Sequence, residues 1–371
     1  MYRGVRHDDV RLGELCGCGV RTVLRLLTHT DARTLDRAFT AIQSLAWLCT
    51  YKRLLYLEDC YRYLQLSISC FYSILIIFFL LPAITDPDDI YTVATTCLEK
   101  SSFYDLVRAW TGDGLASARY STWKIHRKLL NPAFNQTLLD TFLGVFNSQS
   151  RKLVKDLEKE VGKGPFNHLA YTKHNALETV CLTSLGVDFT DSNLNSDYVH
   201  ALELIFITLT ERFIKFWWHS DYTYAWSKLK KQEEACLKIL HNMSNTLLTY
   251  YSLIETKFKP FIDLLLELSL EKGELTDKQI REHVDTMLIA GTDTSATVLV
   301  YTMILLGSYP EVQEKLFAEV NQVLGEDGRV TKQNISQLVY LEAAIKESMR
   351  LYPAVWLVAR EAIMDTKLRK Y

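Results

Sequence analysis

An apolar stretch with a polar centre constrains the fold more than any other part of this sequence. The residues MLIAGTDTSATVLVYTMILL run from Met287 to Leu306, and both flanks are apolar enough for a deeply buried helix. The centre, from Gly291 to Ser295, nevertheless holds a glycine, an acid and hydroxyl side chains. Glycine inside a helix costs about 1 kcal/mol relative to alanine. We therefore expect a long buried helix whose polar centre has a functional role.

The helical spacing of the residues in this centre suggests what that role is. Ala290, Gly291 and Thr294 fall on one side of a helix, with Asp293 beside them. Gly291 removes a side chain where something approaches closely, and Thr294 and Ser295 can bond back to earlier carbonyl groups. Such a notch suits a flat cofactor or a small ligand such as dioxygen. A helix crossing with small residues at the contact explains the same pattern, so this stretch alone leaves both interpretations open.

Composition limits the class of protein. A chain of 371 residues that is 48% hydrophobic can bury the core of one large domain or of two ordinary ones. The 42 basic and 44 acidic residues nearly cancel, which argues against nucleic acid as a partner. The cysteines have no zinc or disulfide-framework spacing, which favours a reducing compartment. They are Cys16, Cys18, Cys49, Cys60, Cys70, Cys97, Cys181 and Cys236.

An uncharged segment from Tyr63 to Ile84 is long enough to cross a bilayer as a helix. We predict a membrane-anchor helix at 63–84, with an unassigned segment 1–62 before it and a helix-rich domain 85–371 after it. A buried core helix or strand is the alternative, because Pro82 and several polar residues interrupt the segment. Arginines precede the segment and aspartates follow it, which would place the N-terminus in the cytosol and the domain in the lumen.

Capping signals mark two helices in the third quarter of the chain. Thr276 and Gln279 have the spacing of a capping box, which predicts the start of a long helix that continues to about Leu306. The sequence GSYP ends that helix. Pro310 suits the first turn of the next helix, which we expect to reach about Leu324.

Other local signals predict a further helix, a strand and an aromatic surface. A helix from about Ser336 should stop ahead of Pro353, because a proline excludes the preceding residue from the helical region. The best strand candidate is PAVWLVARE, which is short, branched and aromatic. The aromatic residues between Phe206 and Trp226 predict core or lipid-surface packing rather than base stacking, since basic residues are sparse among them.

Two residue pairs could carry chemistry. Trp123 and Arg127 are four residues apart in STWKIHRKLLNPAFN, so on a helix an indole and a guanidinium face the same way and could hold a carboxylate. Glu347 and Arg350 are three residues apart in KESMRLYP and can form an ion pair on one helix face. Each pair alone is a common feature of ordinary helices.

In this order and spacing, the motifs resemble one family, the cytochromes P450, which are haem-thiolate monooxygenases. AGTDTS is similar to the family's distal oxygen-activation helix, and ESMR followed by RLYPAVWLVAR is similar to its Glu-x-x-Arg helix and the segment after it. WKIHRKLLNPAF resembles the helix that holds a haem propionate, and DPDDIYTVA resembles an early Asp-Pro segment. The resemblance covers roughly Thr85 to Tyr371. It implies a mainly α (α+β) fold with a long distal helix and few short strands, closest to the microsomal eukaryotic branch.

The resemblance also implies a cofactor and site residues. The cofactor would be haem, iron protoporphyrin. Residues that match the family's haem contacts are Trp123, Arg127, Ala290, Gly291 and Arg360. The branch often carries an acid where this chain has Ala290, so we expect no covalent haem ester at that position.

Further roles follow from the same resemblance. Asp293 and Thr294 would be the catalytic residues, relaying protons during oxygen activation. Glu347 and Arg350 would form a buried, structural ion pair. The family's iron ligand is a cysteine that follows the Glu-x-x-Arg helix, whereas the last cysteine here is Cys236. We therefore expect that the chain lacks the metal ligand and its loop, and that as it stands it is inactive.

The activity that the resemblance implies is insertion of one oxygen atom from dioxygen into a small hydrophobic substrate, such as a fatty acid, hormone or xenobiotic. A flavoprotein reductase would be the redox partner. The location would be the endoplasmic reticulum membrane with the catalytic domain facing the cytosol, which conflicts with the topology that the arginines indicate. The alternative is a non-catalytic, haem-free helical membrane-associated protein derived from such an enzyme.

Overall fold

The computed structural model describes residues 83–188, 192–251, 261–325 and 328–369. Segment 1–62 and residues 63–82 of the candidate anchor lie outside the described residues. Within the described ranges, α-helices and short turns predominate and one two-stranded sheet is present, which confirms the predicted mainly-α fold. The described helices are α1 (Pro87–Thr96), α2 (Asp105–Thr111), α3 (Tyr120–Leu130), α4 (Gln136–Thr141), α5 (Leu143–Glu158), α6 (His168–Ser184), α7 (Ser192–Ile214), α8 (Asp221–Ala225), α9 (Lys228–Tyr251), α10 (Phe261–Leu270), α11 (Asp277–Ser308), α12 (Pro310–Leu324) and α13 (Val339–Leu351).

The capping signals in the sequence produce the helix starts that they predict. Before α11, the Gln279 side chain accepts from the Thr276 N–H at 2.9 Å, and the Thr276 hydroxyl accepts from the Gln279 N–H at 3.3 Å, which completes a capping box. α12 begins at Pro310, as predicted. The Asp86 carboxylate caps α1 by accepting from the N–H of Asp88 at 3.1 Å.

The predicted strand is much shorter than expected. Of PAVWLVARE, only Arg360–Glu361 forms a strand, β2, which pairs antiparallel with β1, Glu99–Lys100. The register places Glu99 opposite Glu361 and Lys100 opposite Arg360, so both cross-strand pairs carry like charges. Like charges directly opposite destabilise a ladder, which fits its two-residue length. The predicted helix after about Ser336 also starts later, at Val339, because a 3₁₀ turn, Ile335–Gln337, precedes it.

The described chain divides into two compact units. Unit 1 contains residues 140–175 and 294–354, and unit 2 contains residues 83–139, 176–293 and 355–369. In unit 1, the buried Asn147 amide donates to the Val330 carbonyl at 2.8 Å and accepts from the Val330 N–H at 2.9 Å. One side chain thus satisfies a buried loop backbone as a neighbouring strand would.

In unit 2, a buried arginine ties α7 to α9. The guanidinium of Arg212 lies 3.8 Å from the centroid of the Tyr224 ring, and the Tyr224 hydroxyl donates to Glu233 at 2.6 Å. The arginine also pairs with Asp221 at 2.6 Å. Because Arg212 and Glu233 are both nearly inaccessible to solvent, this cluster fixes the aromatic segment between the helices.

That aromatic segment has both buried and exposed members. Tyr224 is buried, whereas Trp217, Tyr222 and Trp226 are 49%, 77% and 80% exposed. The core interpretation of the sequence therefore holds for the ring that Arg212 contacts and not for the other three.

Candidate functional site

The polar centre of α11 forms a partly exposed strip on an otherwise buried helix. Ala290, Asp293, Thr294 and Thr297 are half-buried, and their spacing of three, four and seven residues places them on one face. We call these four residues the central strip. By length and composition α11 could span a membrane, but 56% of its most apolar window lies buried inside the protein. α11 is therefore a core helix with one accessible face.

The other polar residues of this centre point into the protein. Gly291, Thr292 and Ser295 are buried. Among the described residues, the Thr292 and Ser295 hydroxyls are buried atoms without a hydrogen-bond partner. The accessible surface at this level of α11 thus comes from Ala290, Asp293 and Thr294 rather than from Gly291. Small side chains next to accessible polar groups suit a flat ligand lying against the helix.

Trp123 and Arg127 lie together on α3, as the sequence predicts. Both side chains are half-buried. The Arg127 guanidinium lies 5.2 Å from the centroid of the Phe134 ring, and burial lowers its pKa. A guanidinium remains charged even after such a shift. Tyr120 stacks on Trp123 with their centroids 6.3 Å apart. The α3 face therefore presents a partly desolvated cation beside an indole, which suits a carboxylate.

A histidine contact that sequence reasoning missed joins α3 to α11. The Nε2 atom of His283 lies 3.1 Å from the Nδ1 atom of His126, and the two side chains are 1% and 5% exposed. We call them the histidine pair. On α3, His126 lies three residues after Trp123 and one before Arg127. No local motif marks this contact, because it joins residues far apart in the sequence.

The faces of α3 and α11 that carry the histidine pair also carry predicted site residues. On α11, Ala290 and Thr294 follow His283 by seven and eleven residues, which returns to the same side of the helix. The histidine pair therefore docks the Trp123–Arg127 face of α3 onto the α11 face that continues to Ala290.

The glycine-rich loop ahead of α3 also rests on α11. The Asp113 N–H donates to the Glu282 carboxylate at 3.1 Å. A Cβ atom at Gly114 would lie 2.3 Å from the Thr286 hydroxyl oxygen and 2.4 Å from the Glu282 carbonyl oxygen. At Gly112 it would lie 2.0 Å from the Glu282 carboxylate. Both glycines are therefore required for close approach, and Gly112 also has a positive φ of 51°, which favours glycine.

Arg360 lies on β2, in the same unit as α3. It is half-buried beside Lys100, whose ammonium donates at 2.9 Å to the carbonyls of Leu115 and Ala116. Burial and the neighbouring Arg360 charge lower the pKa of Lys100 to about 8. Because the Arg360 charge disfavours charge on Lys100, an anion placed beside both cations would offset this repulsion.

The Glu347–Arg350 pair forms, and within the described residues it is partly exposed rather than buried. Arg350 donates to Glu347 at 2.7 and 2.8 Å, which lowers the pKa of the Glu347 carboxyl. Glu347 is 54% exposed and Arg350 is 30% exposed. The buried face of α13 instead presents Leu341, Ile345 and Met349. The pair belongs to unit 1, so in the described residues it is a partly exposed surface contact.

A buried carboxyl on α11 was also missed. Asp285 is 1% exposed, and the Ser244 hydroxyl donates to its Oδ1 atom. In the part of the chain that the structure describes, its Oδ2 atom has no hydrogen-bond partner. This atom lies 3.7 Å from the Arg281 Nε atom and 3.9 Å from the His241 Nε2 atom. Burial raises the pKa of Asp285 to about 7.

The described cysteines do not offer an accessible thiolate. Cys97, Cys181 and Cys236 are all buried. Burial raises the pKa of the Cys181 and Cys236 thiols, which favours the protonated form. The remaining cysteines of the sequence lie outside the described residues.

Comparison with known proteins identifies close sequence relatives. The cytochrome P450 family profile matches residues 84–371. Cytochrome P450 4c3 of Drosophila melanogaster is 33% identical over 297 residues, which cover 73% of this chain and 56% of that protein. Human cytochrome P450 4V2 is 33% identical, covering 74% of this chain and 56% of the relative. Cytochrome P450 4c21 of Blattella germanica is 32% identical, covering 75% and 59%. The chain thus spans little more than half the length of these relatives.

Proposed function

The chain belongs to the cytochrome P450 family, and we propose that it forms the distal side of a haem monooxygenase. The activity we propose is insertion of one atom of dioxygen into a small hydrophobic substrate of the fatty-acid, hormone or xenobiotic type. The observation that carries the proposal is the central strip, an accessible face on a helix that is otherwise core. Haem is the cofactor of this family, and when bound it supplies the iron at which dioxygen is reduced.

The described residues suit this cofactor in chemistry. Trp123 and Arg127 would hold a propionate through the indole N–H and the guanidinium, and Arg360 beside Lys100 would hold an anionic edge. Ala290 also suits haem, because its small side chain leaves space on the central strip for a flat ring. Gly291, also proposed as a haem contact, would act through the backbone, since it is buried.

Asp293 and Thr294 would transfer protons from solvent to the site. Both are accessible members of the central strip and adjacent in sequence. A carboxyl can take a proton from solvent, and a hydroxyl can donate one proton while it accepts another. Asp293 would therefore collect protons and Thr294 would pass them to the face of the helix where the ligand lies.

The partners and location that we propose rest on family membership and on sequence. A flavoprotein reductase would supply electrons, and 63–84 would anchor the domain 85–371 to the endoplasmic reticulum membrane with the domain facing the cytosol. A protease-protection experiment on microsomes tests the orientation. Digestion of the domain from the cytosolic side supports it, whereas protection would favour the opposite topology that the N-terminal arginines indicate.

Haem binding itself is tested by titrating the purified 371-residue chain with hemin and following the Soret band. We expect saturable binding that Arg127→Ala weakens by about tenfold or more, because a charge-assisted hydrogen bond contributes roughly 1.5–3 kcal/mol. Lys128→Ala, which removes an exposed charge from the same helix, is the matched control and should bind normally. Absence of saturable binding would instead support the haem-free alternative. Saturable binding with equal affinity of the two variants would contradict the role of Arg127 in holding haem.

A further inference from the structure

The histidine pair is a buried contact that works only in certain protonation states. The rings meet edge to face, with centroids 4.9 Å apart and an interplanar angle of 69°. A hydrogen bond at 3.1 Å between two imidazole nitrogens needs one N–H and one lone pair. Two charged imidazoles would oppose two N–H groups, whereas one charged imidazole keeps the hydrogen bond but places its charge in a buried contact. Among the described residues, the Nδ1 atom of His283 has no hydrogen-bond partner, so a charge on this ring would also be unsatisfied.

The surroundings disfavour charge on the pair. Burial lowers the pKa of His126, partly offset by the carboxylates of Asp113 and Glu282. Burial and then His126 itself lower the pKa of His283 to about 3. Other titratable or charged groups close by are Arg281 and Asp285 on α11 and His241 on α9. At neutral pH both histidines are therefore uncharged, and acid must place a charge in this buried contact.

The pair also controls the orientation of the face that carries Trp123 and Arg127. α3 has only three turns, and His126 and Leu130 are its buried residues, so the histidine contact is one of two that set the rotation of this helix about its axis. His283 lies seven residues before Ala290, which is about 10 Å along α11. A small rotation of α3 would therefore move the guanidinium of Arg127 relative to Ala290.

We propose that the neutral His126–His283 pair is a positioning contact for haem, and that protonation of the pair loosens α3 and makes haem retention acid-sensitive. This deepens the proposed function and rests on it. Neither histidine touches the haem in this proposal. They act through Trp123 and Arg127.

The test compares side chains that can form the contact with side chains that can also titrate. In His126→Gln/His283→Gln, two amides can donate and accept a hydrogen bond but take up no proton. His126→Ala removes the contact. His200→Gln changes an exposed histidine on α7 and is the control. Each chain is loaded with hemin, and the rate of hemin transfer to an excess of a competing haem-free globin is measured as the pH is lowered.

The expected results differ clearly between variants. From about pH 7.5 to about pH 5, the transfer rate of the unmodified chain and of His200→Gln should rise about tenfold or more, since a buried pair must accept charge. The double glutamine variant should stay within about threefold across the same range and should match the unmodified chain at the upper pH. His126→Ala should transfer hemin faster at every pH. A double glutamine variant with the unmodified pH profile would overturn the proposal.

Failure of the proposed function would give a different result. If the unmodified chain holds no hemin at neutral pH, the haem site is disproved, and the pair is then tested in the haem-free chain by urea unfolding. Histidines in the unfolded chain bind protons near pH 6.5, whereas the buried pair binds them only at lower pH. Acid should therefore destabilise the unmodified chain more than the double glutamine variant. Equal acid sensitivity of the two would overturn the role of the pair as well.

Discussion

Asp285 should make the stability of this protein fall as the pH rises, and Asp285→Asn should remove that dependence. The carboxyl is 1% exposed, and among the described residues its only hydrogen bond comes from the Ser244 hydroxyl. The nearest charged group, the Arg281 guanidinium, lies 3.7 Å from the unpartnered oxygen. That separation is too long for a hydrogen bond, so the attraction does not compensate the loss of water.

The raised pKa of Asp285 determines the sign and the size of this pH dependence of stability. Burial raises the pKa of Asp285 from 3.8 to about 7. The folded protein thus keeps a proton that the unfolded chain releases, and stability is fully present below pH 3.8 and lost as the pH rises through about 7. At 1.36 kcal/mol per pKa unit, the whole shift corresponds to about 4 kcal/mol. Between about pH 5 and about pH 7, the loss should be roughly 2–3 kcal/mol.

Urea unfolding of the haem-free chain at several pH values measures this loss. The free energy of unfolding of Asp285→Asn, minus that of the unmodified chain, should increase by roughly 2–3 kcal/mol across that range. Asp277→Asn, which changes an exposed carboxyl in the first turn of the same helix, should show no comparable trend. If the two proteins in the Asp285 comparison kept a constant difference, the buried carboxyl would be ionised throughout and the reasoning would be refuted.

Three further changes are predicted. Gly114→Ala should destabilise the chain by about 2–4 kcal/mol, because the new Cβ would clash with the Thr286 hydroxyl and a backbone carbonyl. Gly144→Ala is the control: no described atom lies within 4 Å of its Cβ, so it should stabilise the chain by up to about 1 kcal/mol in the same urea assay. Glu347→Ala should cost less than about 1 kcal/mol, since its ion pair is partly exposed; a loss above about 3 kcal/mol would restore the buried assignment. Thr294→Ala should leave hemin affinity unchanged and stability within about 1 kcal/mol, and a large loss of either would indicate a packing role.

Signals that act over a few residues were read correctly from the sequence. The Thr276–Gln279 capping box and Pro310 fix the starts of α11 and α12 through atoms within one turn of each start. Trp123 and Arg127 share a face of α3 because helical spacing alone decides it. Such features need no knowledge of what the rest of the chain does.

Features that depend on distant partners were missed. Nothing near His126 in the sequence shows that it meets His283, 157 residues later. The strand expected in PAVWLVARE needs a neighbour along its whole length, and β1 offers only Glu99–Lys100. The exposure of Glu347 likewise depends on which face of α13 the surrounding residues cover.

The Asn147–Val330 contact in unit 1 has a consequence for the order of folding. These two residues are 183 positions apart, and most of the chain between them belongs to the other compact unit. During synthesis, α5 emerges long before the backbone that its asparagine must satisfy. The part of its buried face around Asn147 therefore stays exposed until residue 330 has left the ribosome, whereas the part around Gln149 can pack against α6 earlier through Asn175. Contacts closed over so long a loop form slowly, and the exposed part of α5 is where a chaperone would bind the nascent chain.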